Sequence, residues 1–357
     1  MNFAFRVDAS IEIGTGHLFR CLTLASLLRD GGHLCIFIIR RRNGNLADFV
    51  RSKDFMVHEL CEKPEVTDEG GHEGWLGCDW YTDAHETCEV LKNVETDWLI
   101  VDHYAIDAKW EEYSYKFCGK LMVIDDLADR KHHCDLLLDQ NLGRVAADYA
   151  HLISRDAVQL LGPKYALLRE EFLKCRKAQG QNLTRTRLHR ILIAMGGTDP
   201  HNITCQILKD ISESDFLDDV TLTVVLGLSA PHKSAVKDKT KKMKQPIRLL
   251  VGISNIADEM QRADLAIGAP GSSSWERCCV GLPTILAAFA NNQLSIQKHL
   301  VAGGAALEAK KKSGGEFDFK GAIHQFVQKP GLLAQMSAAS ATICDGEGGN
   351  RVLAAMV

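Results

Sequence analysis

A glycine turn followed by a histidine, at residues 14–17 (Gly-Thr-Gly-His), constrains the fold of this chain more than any other feature. Apolar residues alternate over residues 3–7 before the turn, which predicts a strand, and recur at helical spacing over residues 18–28 after it. Turns from strand to helix lie at the carboxyl edge of a parallel sheet, where ligands bind. We therefore expect His17 to face a ligand, close to backbone N–H groups that favour anions. For this segment alone, a loop histidine that caps its own helix is the simpler interpretation.

Short apolar runs alternate with helical patterns through both halves of the chain, which predicts an α/β fold with parallel sheets covered by helices. The polar segment 180–187 lacks apolar periodicity and predicts a linker, which gives Rossmann-like domains at residues 1–180 and 188–357. Residues 65–77 are predicted to be irregular, and residues 331–357 mostly helical. The predicted strands are residues 3–7, 34–39, 97–101, 121–124 and 136–138 in the first half, and residues 191–195, 221–226, 248–251, 263–267 and 284–286 in the second.

The composition is ordinary for a globular protein and argues against several classes of function. Of the 357 residues, 46% are hydrophobic and 25% charged, and the net charge of −4 gives no reason to expect a nucleic-acid partner. The 12 cysteines form no C-x-x-C pair, which together with the lack of a signal peptide predicts reduced thiols and a cytoplasmic protein. No apolar run reaches the roughly 18 residues needed to span a bilayer, and no histidine or cysteine spacing predicts a metal. We expect a monomer without cofactor or membrane contact, and interpret the basic runs at 40–42, 237–244 and 310–312 as solvated surface.

A second glycine turn, Gly268 to Ser274, offers the elements of an anion site. Glycine lets a ligand approach the backbone, the serines add hydroxyl donors, and the N-terminus of the next helix adds partial positive charge. Glu276 is suited to bind a ribose diol, with a carboxylate that merely complements the helix dipole as the alternative. The turn Gly196-Gly197-Thr198-Asp199 is either an ordinary helix cap, with Asp199 as the N-cap, or part of the same site. Together the two turns favour a nucleoside diphosphate.

His17 is the natural general base, because imidazole is the side chain whose unperturbed titration lies closest to neutral pH. It would take a proton from a water that attacks a sugar carbon, while the diphosphate leaves as an anion held by backbone amides. Tyr104 would orient that water or a sugar hydroxyl, although a tyrosine at a strand end more often packs at the rim of a core. Acidic residues at the strand ends would orient His17, bind sugar groups or cap turns: Asp102, Asp125, Asp126 and Asp139.

Motifs spread over nearly the whole chain resemble those of one family. They are the opening at residues 8–22, the acidic motifs at 125–130 and 139–141, the run L-G-P-K-Y-A-L-L-R at 161–169, the G-G-T-D turn at 196–199, and residues 271–278. This pattern resembles the nucleotide-sugar hydrolases of the pseudaminic acid pathway and the related spore-coat-polysaccharide proteins. The resemblance implies the GT-B fold, in which two Rossmann-like domains with parallel sheets face each other across a cleft. It also implies similarity to the glycosyltransferase that adds N-acetylglucosamine during peptidoglycan synthesis, and a C-terminal helix that packs back toward the N-terminal domain.

The implied activity is hydrolysis of UDP-2,4-diacetamido-2,4,6-trideoxy-β-L-altropyranose, with inversion at the anomeric carbon and without a metal. The N-terminal domain would carry the catalytic residues His17 and Tyr104, and the C-terminal domain would bind UDP. The implied substrate contacts are Asp8, Gly14, Gly16, Arg20, Asp125, Asn141, Arg169, Asn292 and Gln293. The implied UDP contacts are Gly196, Gly197, Thr198, Gly271, Ser272, Ser273, Ser274 and Glu276.

Two other functions fit the same residues. A glycosyltransferase of the same fold would pass the sugar to an acceptor instead of water, and a basic run such as residues 40–42 would suit a membrane-bound acceptor. A UDP-sugar sensor would bind the nucleotide without turnover. Release of free sugar in the absence of an acceptor separates the hydrolase from both.

Overall fold

Two parallel sheets organise the chain, which we describe from a computed structural model covering residues 1–62, 72–180, 185–228 and 230–357. Unit 1 comprises residues Met1–Leu167 and Glu347–Val357, and unit 2 comprises residues Leu168–Gly346. Part of the segment predicted to be irregular, residues 65–71, lies outside the described residues. The rest of it contains one short 3₁₀ turn, Glu73–Leu76.

The sheet of unit 1 has seven strands in the order β3-β2-β1-β4-β5-β6-β7. All neighbouring strands pair in parallel, and Val7 at the end of β1 pairs with Asp102 at the end of β4. The central strands are buried along almost their whole length, as expected for a sheet with helices on both faces. The strands are β1 Asn2–Val7, β2 Leu34–Arg40, β3 Met56–Leu60, β4 Trp98–Asp102, β5 Lys120–Ile124, β6 Leu136–Asp139 and β7 Val158–Leu161.

Four helices of unit 1 precede the boundary with unit 2. They are α1 Gly16–Asp30, α2 Ala47–Arg51, α3 Trp80–Leu91 and α4 Ala108–Ser114. Helix α1 begins directly after the glycine turn, in which Gly14 has a φ of 78°, a conformation that favours glycine. Leu18, Cys21 and Leu28 of α1 are fully buried in the core of the unit, which confirms the helical pattern predicted from their spacing.

Unit 2 repeats this plan with six parallel strands in the order β10-β9-β8-β11-β12-β13. The strands are β8 Arg190–Ala194, β9 Thr221–Leu226, β10 Ile247–Val251, β11 Leu265–Gly268, β12 Thr284–Leu286 and β13 Ala306–Glu308. The helices are α5 Glu170–Gln179, α6 Ile203–Ser212, α7 Lys233–Thr240, α8 Ala257–Arg262, α9 Ser273–Cys279, α10 Asn291–Ala302, α11 Phe319–Gln328 and α12 Leu332–Ile343. Its main core cluster consists mostly of aliphatic side chains from one face of the sheet and from the helices packed on it.

The last helix, α13 (Gly348–Met356), belongs to unit 1 although it follows all of unit 2 in the chain. Val352 and Met356 lie in the same hydrophobic core as α1. A side chain at Gly348 would lie 2.3 Å from the carbonyl oxygen of Ala166, so only glycine fits this close approach. The predicted return of the C-terminal helix to the N-terminal domain is therefore confirmed.

The unit boundaries differ from the predicted domains 1–180 and 188–357. Helix α5 belongs to unit 2, where Phe172 is fully buried and Arg176 donates to the carbonyl oxygens of Cys279 and Cys344. The predicted linker is also anchored: Arg185 is 8% exposed and donates to the carbonyl oxygens of Ala263 and Val280. This arginine of the predicted linker thus satisfies buried carbonyl groups, and residues 181–184 lie outside the described residues.

The basic run at residues 40–42 was expected to be solvated surface, and its first member is not. Arg40 is fully buried and donates to Asp83 at 2.7 and 3.0 Å, with Glu86 2.8 Å away. Asp83 also accepts from Arg6 and from the indole N–H of Trp110, so the two arginine charges are compensated inside unit 1. In the part of the chain that the structure describes, no helix is long and apolar enough to cross a membrane.

Candidate active site

Both sheets contain a topological switch point, where the strand order reverses. In unit 1 it lies between β1 and β4, and in unit 2 between β8 and β11. In open α/β sheets, ligands bind in the crevice outside the carboxyl ends of the strands at such a point. The turns that the sequence singled out, at residues 14–17, 102–104, 196–199 and 268–274, follow these four strands. Each unit therefore has one candidate site, and we describe the two separately.

His17 and Asp102 form a buried hydrogen-bonded pair at the switch point of unit 1. The distance between His17 Nδ1 and Asp102 Oδ1 is 2.6 Å, and the two side chains are 9% and 0% exposed. An ionised carboxylate can only accept, so Nδ1 carries the proton and Nε2 is left with a free lone pair. This tautomer is the one a general base needs. Gly14 and Gly16, predicted as substrate contacts, lie in the turn before His17, half-buried and exposed respectively.

Arg20 holds Asp102 in its ionised state. Its guanidinium donates to both carboxylate oxygens of Asp102 at 2.7 Å, and to Asp126 Oδ2 at 2.7 Å through its remaining nitrogen. Burial alone would raise the pKa of Asp102, but the charges and hydrogen bonds of Arg20 and His17 hold it well below its usual range. Arg20 is 6% exposed and each of its three nitrogens donates to a carboxylate, so it positions Asp102 and Asp126; its predicted contact with the substrate stays a prediction.

Tyr104 lies beside His17 and shares this network. Its hydroxyl donates to Asp126 Oδ2 at 2.8 Å, and its ring meets the His17 imidazole edge-on with 4.5 Å between centroids. Burial and then the charge of Asp126 raise the pKa of Tyr104, so the phenol stays neutral and its oxygen can accept a hydrogen bond. Trp75 stacks on Tyr104 at 5.6 Å, and His72 contacts both rings, which extends an aromatic surface next to His17. No sequence motif covers the segment that contains Trp75 and His72, so neither residue was predicted.

Two predicted substrate contacts, Asp8 and Asp125, are fully buried. Asp8 accepts both arms of the Arg6 guanidinium, at 2.6 and 2.9 Å, and Asp125 accepts from Arg130 at 2.9 Å and from Tyr149 at 2.9 Å. For each carboxylate, burial opposes ionisation, and the neighbouring arginine overcomes it and lowers the pKa. The two residues stabilise the strand ends through these contacts, and their predicted contacts with the substrate stay predictions.

Asn141 and Asp139 follow β6 at the same edge of the sheet. Asn141 is half-buried, and its amide lies 3.2 Å from the carbonyl oxygen of Asp126 and 3.3 Å from Asp126 Oδ1. Asp139 is fully buried and accepts from Arg144 at 2.5 Å, and the hydroxyl of Tyr149 lies 2.8 Å away. Burial and then the charge of Asp126 raise the pKa of Asp139 to about 6. Asn141 thus restricts the position of Asp126. Asp139 stabilises the loop after β6 through its contacts with Arg144 and Tyr149.

In unit 2, the loop before α9 rests on a buried arginine. Arg277 donates to Ser273 Oγ and Ser274 Oγ at 3.0 Å each and to the carbonyl oxygen of Ala269 at 2.9 Å. Space above the loop is open at Gly271, where an added side chain would meet nothing within 4 Å. Among the predicted UDP contacts, Ser272 is exposed and Ser273 half-buried, whereas Ser274 is 1% exposed and is held against Arg277. The Ser274 side chain thus supports the loop, and its predicted contact with UDP stays a prediction.

Glu276 and Arg169, predicted as contacts of UDP and of the sugar, are neighbours within unit 2. Arg169 Nη2 lies 3.5 Å from Glu276 Oε1, and Nη1 donates to the carbonyl oxygen of Ser254 at 3.0 Å. Burial raises the pKa of Glu276, and Arg169 and Arg277 partly offset this. Both side chains keep partial exposure, at 20% for Glu276 and 32% for Arg169. Arg169 is thus placed beside the predicted ribose contact.

The other glycine turn of unit 2 follows β8. Gly196 and Gly197 are exposed, and Thr198 is half-buried. Asp199 accepts from the backbone N–H groups of Ile203 and Thr204 at 2.9 Å each and so stabilises the start of α6, but the N-cap residue is Asn202 and not Asp199 as predicted.

The remaining predicted sugar contacts lie at the start of α10. The side-chain oxygen of Gln293 accepts from the backbone N–H of Phe289 at 3.0 Å, which leaves its amide N–H₂ group for other partners. The Asn292 side chain lies outside what the structure describes. The described residues contain no group of three or more histidine, cysteine or acidic side chains arranged to hold a metal ion.

Comparison with known proteins places these sites in context. The chain is 28% identical over 311 residues to the UDP-2,4-diacetamido-2,4,6-trideoxy-beta-L-altropyranose hydrolase of Campylobacter jejuni, which covers 87% of this chain and all of that protein. The predicted resemblance is confirmed. The chain is also 29% identical over 147 residues to the spore coat polysaccharide biosynthesis protein SpsG of Bacillus subtilis, covering 41% of this chain and 42% of SpsG.

A further relative is an uncharacterised protein of Methanocaldococcus jannaschii, 26% identical over 290 residues. The match covers 80% of this chain but 55% of that protein, so this chain spans about half the length of that relative. No protein-family model matches the chain.

Solved structures confirm the predicted GT-B fold. MurG of Acinetobacter baumannii matches with a TM-score of 0.69 and 12% identity, covering 99% of this chain and 98% of MurG. The spinosyn rhamnosyltransferase SpnG matches with a TM-score of 0.62 and 13% identity, covering 98% of this chain and 99% of SpnG. At such identities the likeness concerns the fold alone.

Proposed function

We propose that this chain is a UDP-sugar hydrolase that releases UDP from UDP-2,4-diacetamido-2,4,6-trideoxy-β-L-altropyranose, with inversion at the anomeric carbon and without a metal, in the formation of pseudaminic acid. The observation that carries the proposal is the His17–Asp102 pair at a sheet switch point, 2.6 Å apart and with Nε2 free to accept a proton. The similarity over 87% of the chain to a hydrolase of that name supports the choice of substrate.

In the proposed reaction, His17 Nε2 takes a proton from a water molecule as the water oxygen bonds to the anomeric carbon. The bond between that carbon and the diphosphate oxygen breaks on the opposite face, and UDP leaves with the bonding electron pair. Asp102 stabilises the imidazolium that forms, because its carboxylate stays ionised beside Arg20. A positioned base of this kind contributes roughly 10² to 10⁴-fold in rate.

Tyr104 is proposed to position the attacking water or a sugar hydroxyl. Its own proton is directed to Asp126 at 2.8 Å, so its oxygen presents lone pairs next to the His17 ring. In unit 2, the backbone of the loop from Gly271 is proposed to hold the diphosphate, with the hydroxyls of Ser272 and Ser273. Glu276 is proposed to accept from the ribose hydroxyls.

A glycosyltransferase that uses a UDP-sugar donor is the second candidate, and the fold favours it: MurG and the rhamnosyltransferase SpnG share the architecture. The two candidates differ in the group that accepts the sugar. The His17–Asp102 pair would serve either, since it can deprotonate an acceptor hydroxyl as well as water.

The test is incubation of the purified chain with the UDP-sugar in buffer without an acceptor, followed by ¹H and ³¹P NMR. We expect UDP and free sugar in equal amounts, with the inverted anomer appearing first and no change in rate on addition of a chelator. UDP formation only after an acceptor is added would support the glycosyltransferase. Tight UDP binding without any product would support a sensor.

A further inference from the structure

Arg277 is a buried positive charge without an anionic partner. Its residue is 2% exposed, and no described carboxylate lies within 4 Å of the guanidinium. All of its hydrogen bonds go to neutral oxygens, those of two serine hydroxyls and one backbone carbonyl. Its Nε–H group has no hydrogen-bond partner among the described residues. Burying an arginine in this way is costly, because a charge taken out of water needs an opposite charge to offset the lost hydration.

Other buried arginines differ from Arg277 in how their nitrogens are used. Arg185 also donates only to neutral oxygens, but its Nε, Nη1 and Nη2 atoms all have partners. Arg6 and Arg40, both fully buried in unit 1, each donate to buried carboxylates at 3.0 Å or less. Burial lowers the pKa of Arg277 to about 10, whereas the carboxylate partners of Arg6 and Arg40 raise theirs. Even so lowered, Arg277 is charged at neutral pH. Glu276 acts on this charge from beyond salt-bridge distance and itself lies 3.5 Å from Arg169, so no described carboxylate contacts the Arg277 guanidinium.

The position of Arg277 shows where a counter-ion would bind. Its guanidinium lies under the loop of residues 268–274, and an added side chain at Gly268 would come within 2.9 Å of Nη1. Ser273 is four residues and Ser274 three residues before Arg277 on α9, so the helix brings both hydroxyls to the same guanidinium. Above the loop, at Gly271, the surface is open.

The hydrogen bonds of Arg277 also determine how the serine hydroxyls of the loop donate. A guanidinium can only donate, so each serine oxygen that it contacts is used as an acceptor. The single hydrogen of each hydroxyl must then point elsewhere. Ser273 is half-buried, and no described acceptor takes its hydrogen, so it is presented as a donor. An anion is the ligand that accepts from such a donor and at the same time offsets the buried charge.

We infer that Arg277 is a positioning residue for the diphosphate of UDP: it orients the Ser273 hydroxyl as a donor and supplies the charge that the diphosphate neutralises, without touching the ligand. This inference rests on the proposed function, in which the same loop binds UDP. It assigns to Arg277 a role in binding the diphosphate and none in binding the uridine.

The test is calorimetric titration of the full chain with UDP, uridine and inorganic pyrophosphate. We expect Arg277→Met to weaken UDP and pyrophosphate binding by at least about 10-fold, and to leave uridine affinity within about twofold, because only the diphosphate senses the charge. Arg277→Lys keeps the charge but loses the planar guanidinium that contacts both serines. Its affinities for UDP and pyrophosphate should lie between those of the wild type and of Arg277→Met. The matched control is Arg262→Met, which removes a 62%-exposed charge from the same unit and should change none of the three affinities.

Equal weakening of UDP and uridine by Arg277→Met would overturn the inference, since it would indicate a structural role alone. If that variant does not fold, Ser273→Ala decides: a loss of about 3- to 10-fold for UDP alone supports the inference, and no loss overturns it. Failure of the proposed function looks different. A wild-type chain that binds pyrophosphate in an Arg277-dependent manner but not UDP overturns only the nucleotide assignment, and one that binds none of the three ligands overturns both.

Discussion

The switch points of the two sheets have the same topology and opposite electrostatics. In unit 1, Arg20 contacts two carboxylates, and His17 is hydrogen-bonded to one of them. In unit 2, Arg277 contacts only hydroxyl and carbonyl oxygens. At the edge of unit 1 the buried arginine contacts carboxylates, and at the edge of unit 2 no described carboxylate contacts the buried arginine.

The difference shows how one fold position can be adapted to two tasks. Paired charges fix the protonation state of a neighbouring group, because each partner holds the other in its ionised form. An unpaired buried cation instead favours a bound anion. On this comparison the edge of unit 1 suits proton transfer, and the edge of unit 2 suits binding of a negatively charged group. Variants at each edge should therefore affect different kinetic parameters.

The largest effect is expected from His17→Asn. Asparagine keeps polarity and approximate size but cannot take a proton, so kcat should fall more than about 10²-fold while UDP affinity stays within twofold. Steady-state hydrolysis and calorimetry measure the two quantities. A variant that keeps more than a tenth of the wild-type rate would exclude His17 as the base.

Asp102→Asn should follow, with a loss of kcat of about 10²-fold. The amide has the same shape but no charge, so it no longer holds the proton on His17 Nδ1 or offsets Arg20. The measurements are the hydrolysis rate as a function of pH and the melting temperature. The second is needed because the substitution also removes an ion-pair partner of Arg20. Asn141→Ala, which loosens only Asp126, serves as the comparison and should retain most of the rate. Equal losses in the two variants would argue that loop order, and not the His17–Asp102 pair, limits the reaction.

Glu276→Ala probes the other edge and should raise KM and the Kd for UDP by about 10-fold with little change in kcat, because ribose hydrogen bonds are made before and during reaction alike. The variant also frees Arg169, which lies 3.5 Å away, so Arg169→Met should be measured beside it. An unchanged KM in Glu276→Ala would contradict the ribose assignment.

Tyr104→Phe is expected to lower kcat about 3- to 10-fold, less than either change to the His17–Asp102 pair. Phenylalanine preserves the stacking on Trp75 and removes only the hydroxyl that donates to Asp126. Melting temperatures of the two proteins should agree. A loss as large as that of His17→Asn would assign Tyr104 to proton transfer itself.

The smallest effect concerns Asp139, whose pKa is raised from 3.8 to about 6 by burial and by Asp126. A raised pKa means that its contribution to stability is present below about pH 4 and is lost as the pH rises through 6. Asp139→Asn mimics the protonated form at every pH. The difference in free energy of unfolding, variant minus wild type, should therefore increase by about 1 to 3 kcal/mol between pH 4 and pH 7. Urea titrations at both pH values measure the gain, and a difference independent of pH would contradict the assignment.

The sequence predicted the central strands and the turns at their carboxyl ends, because buried parallel strands are continuous apolar runs with glycine turns after them. It missed β3 (Met56–Leu60), β7 (Val158–Leu161) and β13 (Ala306–Glu308). These are edge strands, short or only partly apolar, and their pairing comes from the neighbouring strand and not from their own pattern.

The sequence predicts which residue types lie at the candidate sites better than it predicts the role of each residue. Asp8 and Asp125 end or follow strands in the same way as Asp102, and only the folded chain distinguishes a carboxylate that contacts a buried arginine from one beside a histidine. Arg20 and Asp102 are 82 positions apart, so their pairing has no local signal. Arg277 does have a local signal in the sequence, because serines three and four residues before an arginine lie on the same helix face.

The return of α13 to unit 1 has a consequence for how this chain is made. Val352 and Met356 complete the core around α1, yet the ribosome adds them only after the whole of unit 2. Unit 2 can finish folding while it emerges, whereas the unit that carries His17 keeps an open apolar groove until residues Glu347–Val357 have been made. The two halves would thus be completed in the reverse of the order in which their first residues are translated.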